Sequence, residues 1–381
     1  MNLAVSMSPR IHRIAVSVFF FIAGLTFSTW ASRIPDIKDK LHLSEAGLGS
    51  VLFALPVGLM ASLLLSGWLV SKYGSRRIVI GAAIIYPAIL VLLALASSIL
   101  QLVVGLFFFG LIANFVNIAM NTQAVGVEIL YRRSIMASFH GLWSLAGFAG
   151  AAFGTFFVSQ SISPFVHFSL VAIASGLLVL VSYRSTLPAA ADVQNKQPIF
   201  VRPDKHILIL GLIAFCCMVC EGAMADWSGV YFKKVVETAA AYTTLGYVAF
   251  TGTMATGRFL GDWLVTKFGV KKVLQWSGTL IAAGLLLAVL FPNIITATAG
   301  FLFVGFGVSS VVPIAYGLAG RSNTMSPGMA LSAVSTIGFL GFLIGPPMIG
   351  FIAEASSLRF SFALIALLGL GTTILAGKVR S

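Results

Sequence analysis

The stretch WLVSKYGSRR runs from Trp68 to Arg77, and WLVTKFGVKK runs from Trp263 to Lys272, 195 residues further on. Each copy closes one long apolar run and opens the next. Oil, then a glycine among Lys and Arg, then oil again is the pattern of two membrane-crossing helices joined by a tight charged loop. Gly74 and Gly269 let the chain turn sharply. The basic residues hold the loop on one side of a bilayer, and they lie near helix C-termini, where cations are favoured. Two copies predict a chain made of two similar halves, related by an axis along the membrane normal.

The whole chain is oily: 59% of its residues are hydrophobic, 9% are charged, and the mean hydropathy is +1.01. A soluble domain carries about 25% charged residues, so water is excluded as the main solvent. Apolar runs of roughly 20 residues match a hydrocarbon core about 30 Å thick. They are rich in Gly and Phe without strict alternation, so they read as helices and not as barrel strands. The expectation is an all-α membrane protein with twelve transmembrane helices, near 13–32, 48–70, 78–98, 101–127, 137–158, 164–184, 207–230, 242–266, 273–291, 294–318, 329–353 and 358–378. Arg10 and Arg13 precede the first run as in a signal peptide, but the run is too long for one, and it reads as a retained helix. The longest polar connection is rich in Pro, Asp, Gln and Lys and marks a linker. It divides the chain into a six-helix bundle over 1–184, a linker over 185–206 and a second six-helix bundle over 207–381.

The formal net charge is +13. In a soluble protein this would point to nucleic acid; here the distribution decides otherwise. Most of the 24 Lys and Arg, including both decapeptide clusters, fall on one side of the expected bilayer, while Arg33, Lys38, Lys40, Lys233, Lys234 and Arg359 fall on the other. The positive-inside rule then puts both termini in the cytoplasm, with the bacterial inner membrane as the expected location. The partners implied are the lipid bilayer, a small-molecule substrate and protons, for a monomer that binds no nucleic acid. The sequence lacks a G-x-x-x-x-G-K-[ST] loop, an H-E-x-x-H pair and a paired cysteine metal pattern, so neither ATP, a metal nor another cofactor is expected, and no enzyme activity. Cys216, Cys217 and Cys220 lie inside an apolar run and read as small packing residues.

The duplicated loop resembles the signature of the major facilitator superfamily, roughly G-x-x-x-D-[RK]-x-G-x-[RK]-[RK]. Gly67, Lys72, Gly74, Arg76 and Arg77 match in the first copy; Lys267, Gly269, Lys271 and Lys272 match in the second. Ser71 and Thr266 stand where the family has an acid, and Asp262 lies four residues before Thr266. The stretches TWASRIPDIKDKL, SFHGLWSLAGFAGA, CEGAMADW, SSVVPIAYGLA and GFLGFLIGPPMIGFIAE are similar to the fucose-permease-like branch, which includes sugar–proton symporters. The resemblance implies alternating access, with spans one and seven lining a central cavity and the signature-loop cations Lys72, Arg76, Arg77, Lys267, Lys271 and Lys272 acting in gating.

Ionisable groups inside spans are costly and point to function. Burial disfavours an ionised carboxyl, so one held at mid-membrane can take up and release a proton during a cycle. Glu221, near the middle of span seven, is the first such group, and Asp226 is the second. His140, at the start of span five, is either a relay or an interfacial hydrogen-bonding residue. Asn114, Asn117, Asn121 and Glu128 share one face of span four, with Gln123 off it. Asn117 and Asn121 suit a hydroxylated solute or serve as interhelical glue, and Glu128 reads as structural, facing Arg132 or Arg133. Trp143 and Ser144 follow His140 by a turn. Trp30 and Trp227 sit at the outer ends of spans one and seven and join the substrate-contact set with Glu221. Arg33 pairs either with Asp226, as an outer latch, or locally with Asp36. Arg258 is expected to pair with Asp262 at i,i+4 and to gate beside the second loop. Pro313, Pro346 and Pro347 are expected bending points.

Three functions fit: proton-coupled symport of a small sugar-like solute; proton-driven export of an amphipathic compound, for which the 31 Phe residues would suit the cavity; and a non-transporting receptor on the same fold, against which Glu221 and the polar stripe argue.

Overall fold

The computed structural model describes residues 8–131, 135–188, 204–322, 325 and 327–379. Among them there is no strand. In chain order the helices are α1 (Pro9–Ala31), α2 (Ile34–Lys40), α3 (Glu45–Leu52), α4 (Ala54–Tyr73), α5 (Ser75–Leu95), α6 (Ile99–Tyr131), α7 (Met136–Ser159), α8 (Pro164–Ser182), α9 (Lys205–Lys234), α10 (Leu245–Phe268), α11 (Val270–Leu290), α12 (Ile294–Ser309), α13 (Val311–Ala319), α14 (Pro327–Ala355) and α15 (Leu358–Ala376). The linker expected over 185–206 falls largely outside the described residues, as do Arg132 and Arg133.

Helix ends follow local chemistry. Side-chain oxygens of Ser44, Ser163, Asp204, Asn293 and Ser357 accept the first free backbone N–H groups of α3, α8, α9, α12 and α15. Two expected spans are each split in two by a proline. Phe53 separates α3 from α4, where Pro56 withholds the N–H that Leu52 would receive. Ser310 separates α12 from α13, where Pro313 does the same to Ser309. Pro346 and Pro347, by contrast, lie within a continuous α14.

Eleven helical stretches among the described residues are long and apolar enough to cross a membrane. Helix α10, 24 residues long, is not among them; it carries the charged residues Arg258, Asp262 and Lys267. Large apolar side chains such as Val181 (83% exposed), Ile295 (77%) and Leu100 (71%) point outward, as a hydrocarbon solvent allows and water does not.

The chain forms two compact units. The first holds α1 as far as Trp30 and continues from Ala54 through α4–α8; the second holds residues 31–53 and α9–α15. Within the first, α4 and α6 touch backbone to backbone: a side chain at Gly110 would collide with the carbonyl of Leu55. Within the second, α10 and α12 repeat the arrangement, with Gly305 against the carbonyl of Phe250. Both residues of that contact are displaced by the same 195 positions that separate the decapeptides, so the repeat extends from the loops into the packing of whole helices.

The loops themselves match in detail. Gly74 has φ 82° and ψ 144°, and Gly269 has φ 83° and ψ 152°. These are the chain's two positive-φ glycines among the described residues, close to a region that only glycine occupies readily. Lys72 Nζ lies 4.6 Å from the Trp68 ring centre and 5.3 Å from that of Tyr73. Lys267 lies 4.9 Å from Trp263 and 5.3 Å from Phe268. The two aromatic pairs meet edge to face, each at 6.1 Å.

Candidate functional site

The second unit holds an ion pair at the level of its helices' interiors. Glu221 sits midway along α9, and its Oε1 lies 3.5 Å from Arg258 Nη2 on α10, with the two side chains 15% and 19% exposed. The expectation for Arg258 was Asp262 on its own helix. A partner shown for it, Glu221, is 37 residues away in sequence, and the packing of α10 on α9 brings the two together; the expected pairing with Asp262 falls on a side chain outside the described residues. Tyr316 on α13 stands beside Ser335 on α14, near enough to Glu221 to feel its charge. Four helices thus contribute to one polar cluster. Asp226, five residues along α9, is half-buried and makes no hydrogen bond or ion pair among the described residues. The three cysteines of α9 are buried and unbridged. Cys217 and Cys220 point their thiols at the carbonyls of Val308 and Ile365 at 3.7 and 3.8 Å, in keeping with a packing role.

At one end of the second unit a charged group fastens residues 31–53 to α9 and α14. Arg33 is 2% exposed and pairs locally with Asp36 at 3.1 Å. Lys233 pairs with Asp39, and Lys234 reaches Glu45 at 2.5 Å. Glu354 accepts the Ala46 N–H at 3.3 Å, an anion at the start of α3, where the helix dipole favours it. Lys38 is buried, donates to the Leu43 carbonyl at 2.7 Å and lies 3.8 Å from Glu45. Burial pushes its ammonium below the usual lysine range, against the pull of the Glu45 charge. The sequence reading missed this cluster: its members come from three separate stretches, and each alone looks like a solvated rim charge.

In the first unit the polar stripe of α6 is satisfied internally. Asn114 donates to Ser66 Oγ at 3.3 Å, so it ties α6 to α4. Asn121 donates to the side-chain and backbone oxygens of Asn117 at 3.0 and 2.8 Å, and both amides remain half-buried. Glu128 accepts the N–H groups of Ile135 and Met136 at 2.8 and 2.9 Å, a structural carboxylate that caps α7. Ser144 is fully buried and donates to the His140 carbonyl at 3.0 Å. His140 is exposed on its helix and meets the Phe20 ring edge-on at 5.3 Å; Trp143 is half-buried, with its carbonyl against Gly24. Trp30 and Trp227 are 1% and 0% exposed, so neither presents surface in this structure. Gln123, set aside in the sequence reading, is the chief fastener at the other end: it donates to Ser75 Oγ and the Leu187 carbonyl and accepts the Leu187 N–H, at 2.8, 3.1 and 2.8 Å. Arg76 joins it by donating to the Tyr183 carbonyl at 3.3 Å. Lys72, Arg77, Lys267, Lys271 and Lys272 are exposed.

Alongside the duplicated turns, the twinned helix contacts and the Glu221–Arg258 pair, the sequence matches the Major Facilitator Superfamily over residues 16–259 and 236–380. The chain belongs to that superfamily. An uncharacterized MFS-type transporter of Yersinia pestis is 33% identical over 372 residues, 95% of this chain and 97% of its own length. Among solved structures, the nucleoside transporter NupG superposes with a TM-score of 0.78 at 12% identity, covering 97% of this chain and all of that one (100%). A D-xylose–proton symporter superposes at 0.77 with 14% identity, covering 96% and 97%. At such identities the shared property is the fold.

Proposed function

We propose that this transporter is a secondary active one, moving a small polar, sugar-like solute together with protons by alternating access. The observation that carries the proposal is the Glu221–Arg258 pair between α9 and α10. A receptor or scaffold needs no ion pair inside its membrane helices, where such groups are expensive to keep. A carboxyl that meets water on one side and is enclosed on the other can bind a proton in one orientation and release it in the next. The proposal includes twelve spans with α10 as the eighth, both termini in the cytoplasm of a bacterial inner membrane, and a monomer placed within the fucose-permease-like branch. Asn117, Asn121 and Trp143 are assigned to the solute. Asp226 and His140 stand as secondary proton groups, and the signature-loop cations and Arg33 as gate elements. That one fold neighbour is named as a sugar–proton symporter and another as a nucleoside transporter supports a hydroxylated solute.

The test is a screen of sugars, sugar acids and nucleosides on purified protein in liposomes under an imposed pH gradient. The expected outcome is gradient-driven accumulation of at least one of them. If instead an amphipathic compound is expelled against the proton gradient and none of these solutes moves, the reading passes to proton-driven export.

A further inference from the structure

We infer that the loop between α10 and α11 binds the headgroup of an anionic phospholipid, and that the corresponding loop between α4 and α5 does not. The inference is independent of what the protein carries. Lys267, Lys271 and Lys272 are exposed, and their side chains make no hydrogen bond or ion pair among the described residues. The first turn of α11 adds no acid. Three like charges so close together repel one another, and an anion from outside the chain offsets that repulsion. Beside them stand two exposed tryptophans, Trp263 at 55% and Trp276 at 46%. They lie six and seven residues from Gly269 on either side of it, about 9 and 10 Å along their helices. Two indoles at one depth match the boundary between hydrocarbon and headgroups, where tryptophan keeps its ring in oil and offers its N–H to polar groups. Phe268 joins them: its ring meets Trp263 at 6.1 Å and Trp276 at 4.9 Å, both edge to face. Lys267 lies over the Trp263 and Phe268 rings. A phosphodiester that carries acyl chains satisfies the cations and the rings together, whereas inorganic phosphate satisfies the cations alone.

The first copy lacks this set. Arg76 is engaged with the Tyr183 carbonyl at 3.3 Å, and its counterpart Lys271 has no such partner among the described residues. Gly81 stands at the position of Trp276, with open space about it, so the first loop has no second indole. Asp192 and Asp262 are the chain's two acids whose side chains lie outside the described residues. Each is a rival counter-ion for the lysines, and the experiment has to separate them from a bound lipid.

Native mass spectrometry of the delipidated protein in a neutral detergent, titrated with phosphatidylglycerol or with phosphatidylcholine of the same acyl chains, makes the separation. A lysine beside an anionic surface strengthens binding about fivefold, so wild type should hold its first phosphatidylglycerol about tenfold or more tighter than phosphatidylcholine. With Lys267→Gln, Lys271→Gln and Lys272→Gln combined, the preference should fall below about twofold. The same three positions changed to Arg keep the charge and should keep the preference. Trp276→Gly, which copies the first unit, should weaken phosphatidylglycerol about threefold. Lys72→Gln combined with Arg77→Gln should leave the preference within about twofold of wild type. All these side chains but Trp276 are exposed and charged, and changes of that kind seldom disturb folding. Equal affinity of wild type for the two lipids, or a preference that survives the triple Gln variant, overturns the inference. An equal loss in the Lys72/Arg77 variant overturns the assignment to the second copy. A preference that first appears in Asp192→Asn or Asp262→Asn overturns it too, since a carboxylate of the chain would then hold the lysines. Displacement of the lipid by roughly 10 mM sodium phosphate at constant ionic strength would assign the loop to free phosphate instead.

Discussion

The two copies of the decapeptide agree where the chain turns and part company in the helix that leads there. Gly74 and Gly269 share one unusual backbone conformation, and the lysine and aromatic side chains around them repeat to within a few tenths of an ångström. About two turns and three turns before the glycines, the copies differ. Asp262 corresponds to Gly67, which has open space about it, and Arg258 corresponds to Leu63, an outward-facing apolar residue 41% exposed. The first unit puts a neutral hydrogen bond, Asn114 to Ser66, between α6 and α4; the second puts charge between α10 and α9. Turn geometry and helix approach are duplicated, and the ion pairs named above lie in the second unit. A membrane helix can carry such a cation only if a partner waits for it, so the asymmetry has to be built from both helices at once.

The sharpest way to break the comparison is to erase the difference. Arg258→Leu gives the second copy the residue of the first and strips Glu221 of its cation. A loss of roughly 3 kcal/mol is expected, read as thermal unfolding in detergent, with most of it recovered in Glu221→Leu/Arg258→Leu. A single variant as stable as wild type would mean that the pair contributes nothing. Next comes the shared turn: Gly74→Ala and Gly269→Ala should each cost about 2 kcal/mol, because alanine resists that backbone region. Unequal losses would show that the turns are alike in shape and not in strain. Arg76→Ala should cost about 1 kcal/mol through its hydrogen bond to the Tyr183 carbonyl, whereas Lys271→Ala, at the same place in an exposed copy, should stay within about 0.5 kcal/mol of wild type. The smallest effect expected is from Lys72→Met and Lys267→Met, about 0.5 kcal/mol each from the lost cation–aromatic contact; a twofold difference between them would expose a partner that the loops do not share.

Helix positions were legible in the sequence because hydrocarbon imposes a length on every apolar run. Each of the twelve expected runs lies on one described helix or on two separated by a single residue. The repeat was legible because a tight turn between membrane helices needs a glycine and flanking cations in fixed order. The contact of Arg258 with Glu221 was not. Helical spacing offers Asp262 as a neighbour, and only the packing of α10 on α9 offers Glu221. Glu128, read as a structural residue beside Arg132 or Arg133, accepts the N–H groups of Ile135 and Met136 at the start of α7, which do not show as charges in a sequence; Arg132 and Arg133 lie outside the described residues. Lys38, Glu45, Lys234 and Glu354 escaped for a related reason: each lies at the end of an apolar run, where charge is expected anyway, and their meeting depends on residues 31–53 packing with α9 and α14.

The ion pair of the second unit is proposed to couple solute movement to protons. It is tested most directly by measuring Glu221→Gln in liposomes with the solute retained by the screen, following exchange at equal pH and accumulation under an inward proton gradient side by side. Exchange is expected within about threefold of wild type and accumulation reduced at least tenfold, since a permanently neutral residue can carry the solute but not the proton. Full pH-driven accumulation by Glu221→Gln at normal protein levels would contradict it and move the proton to Asp226.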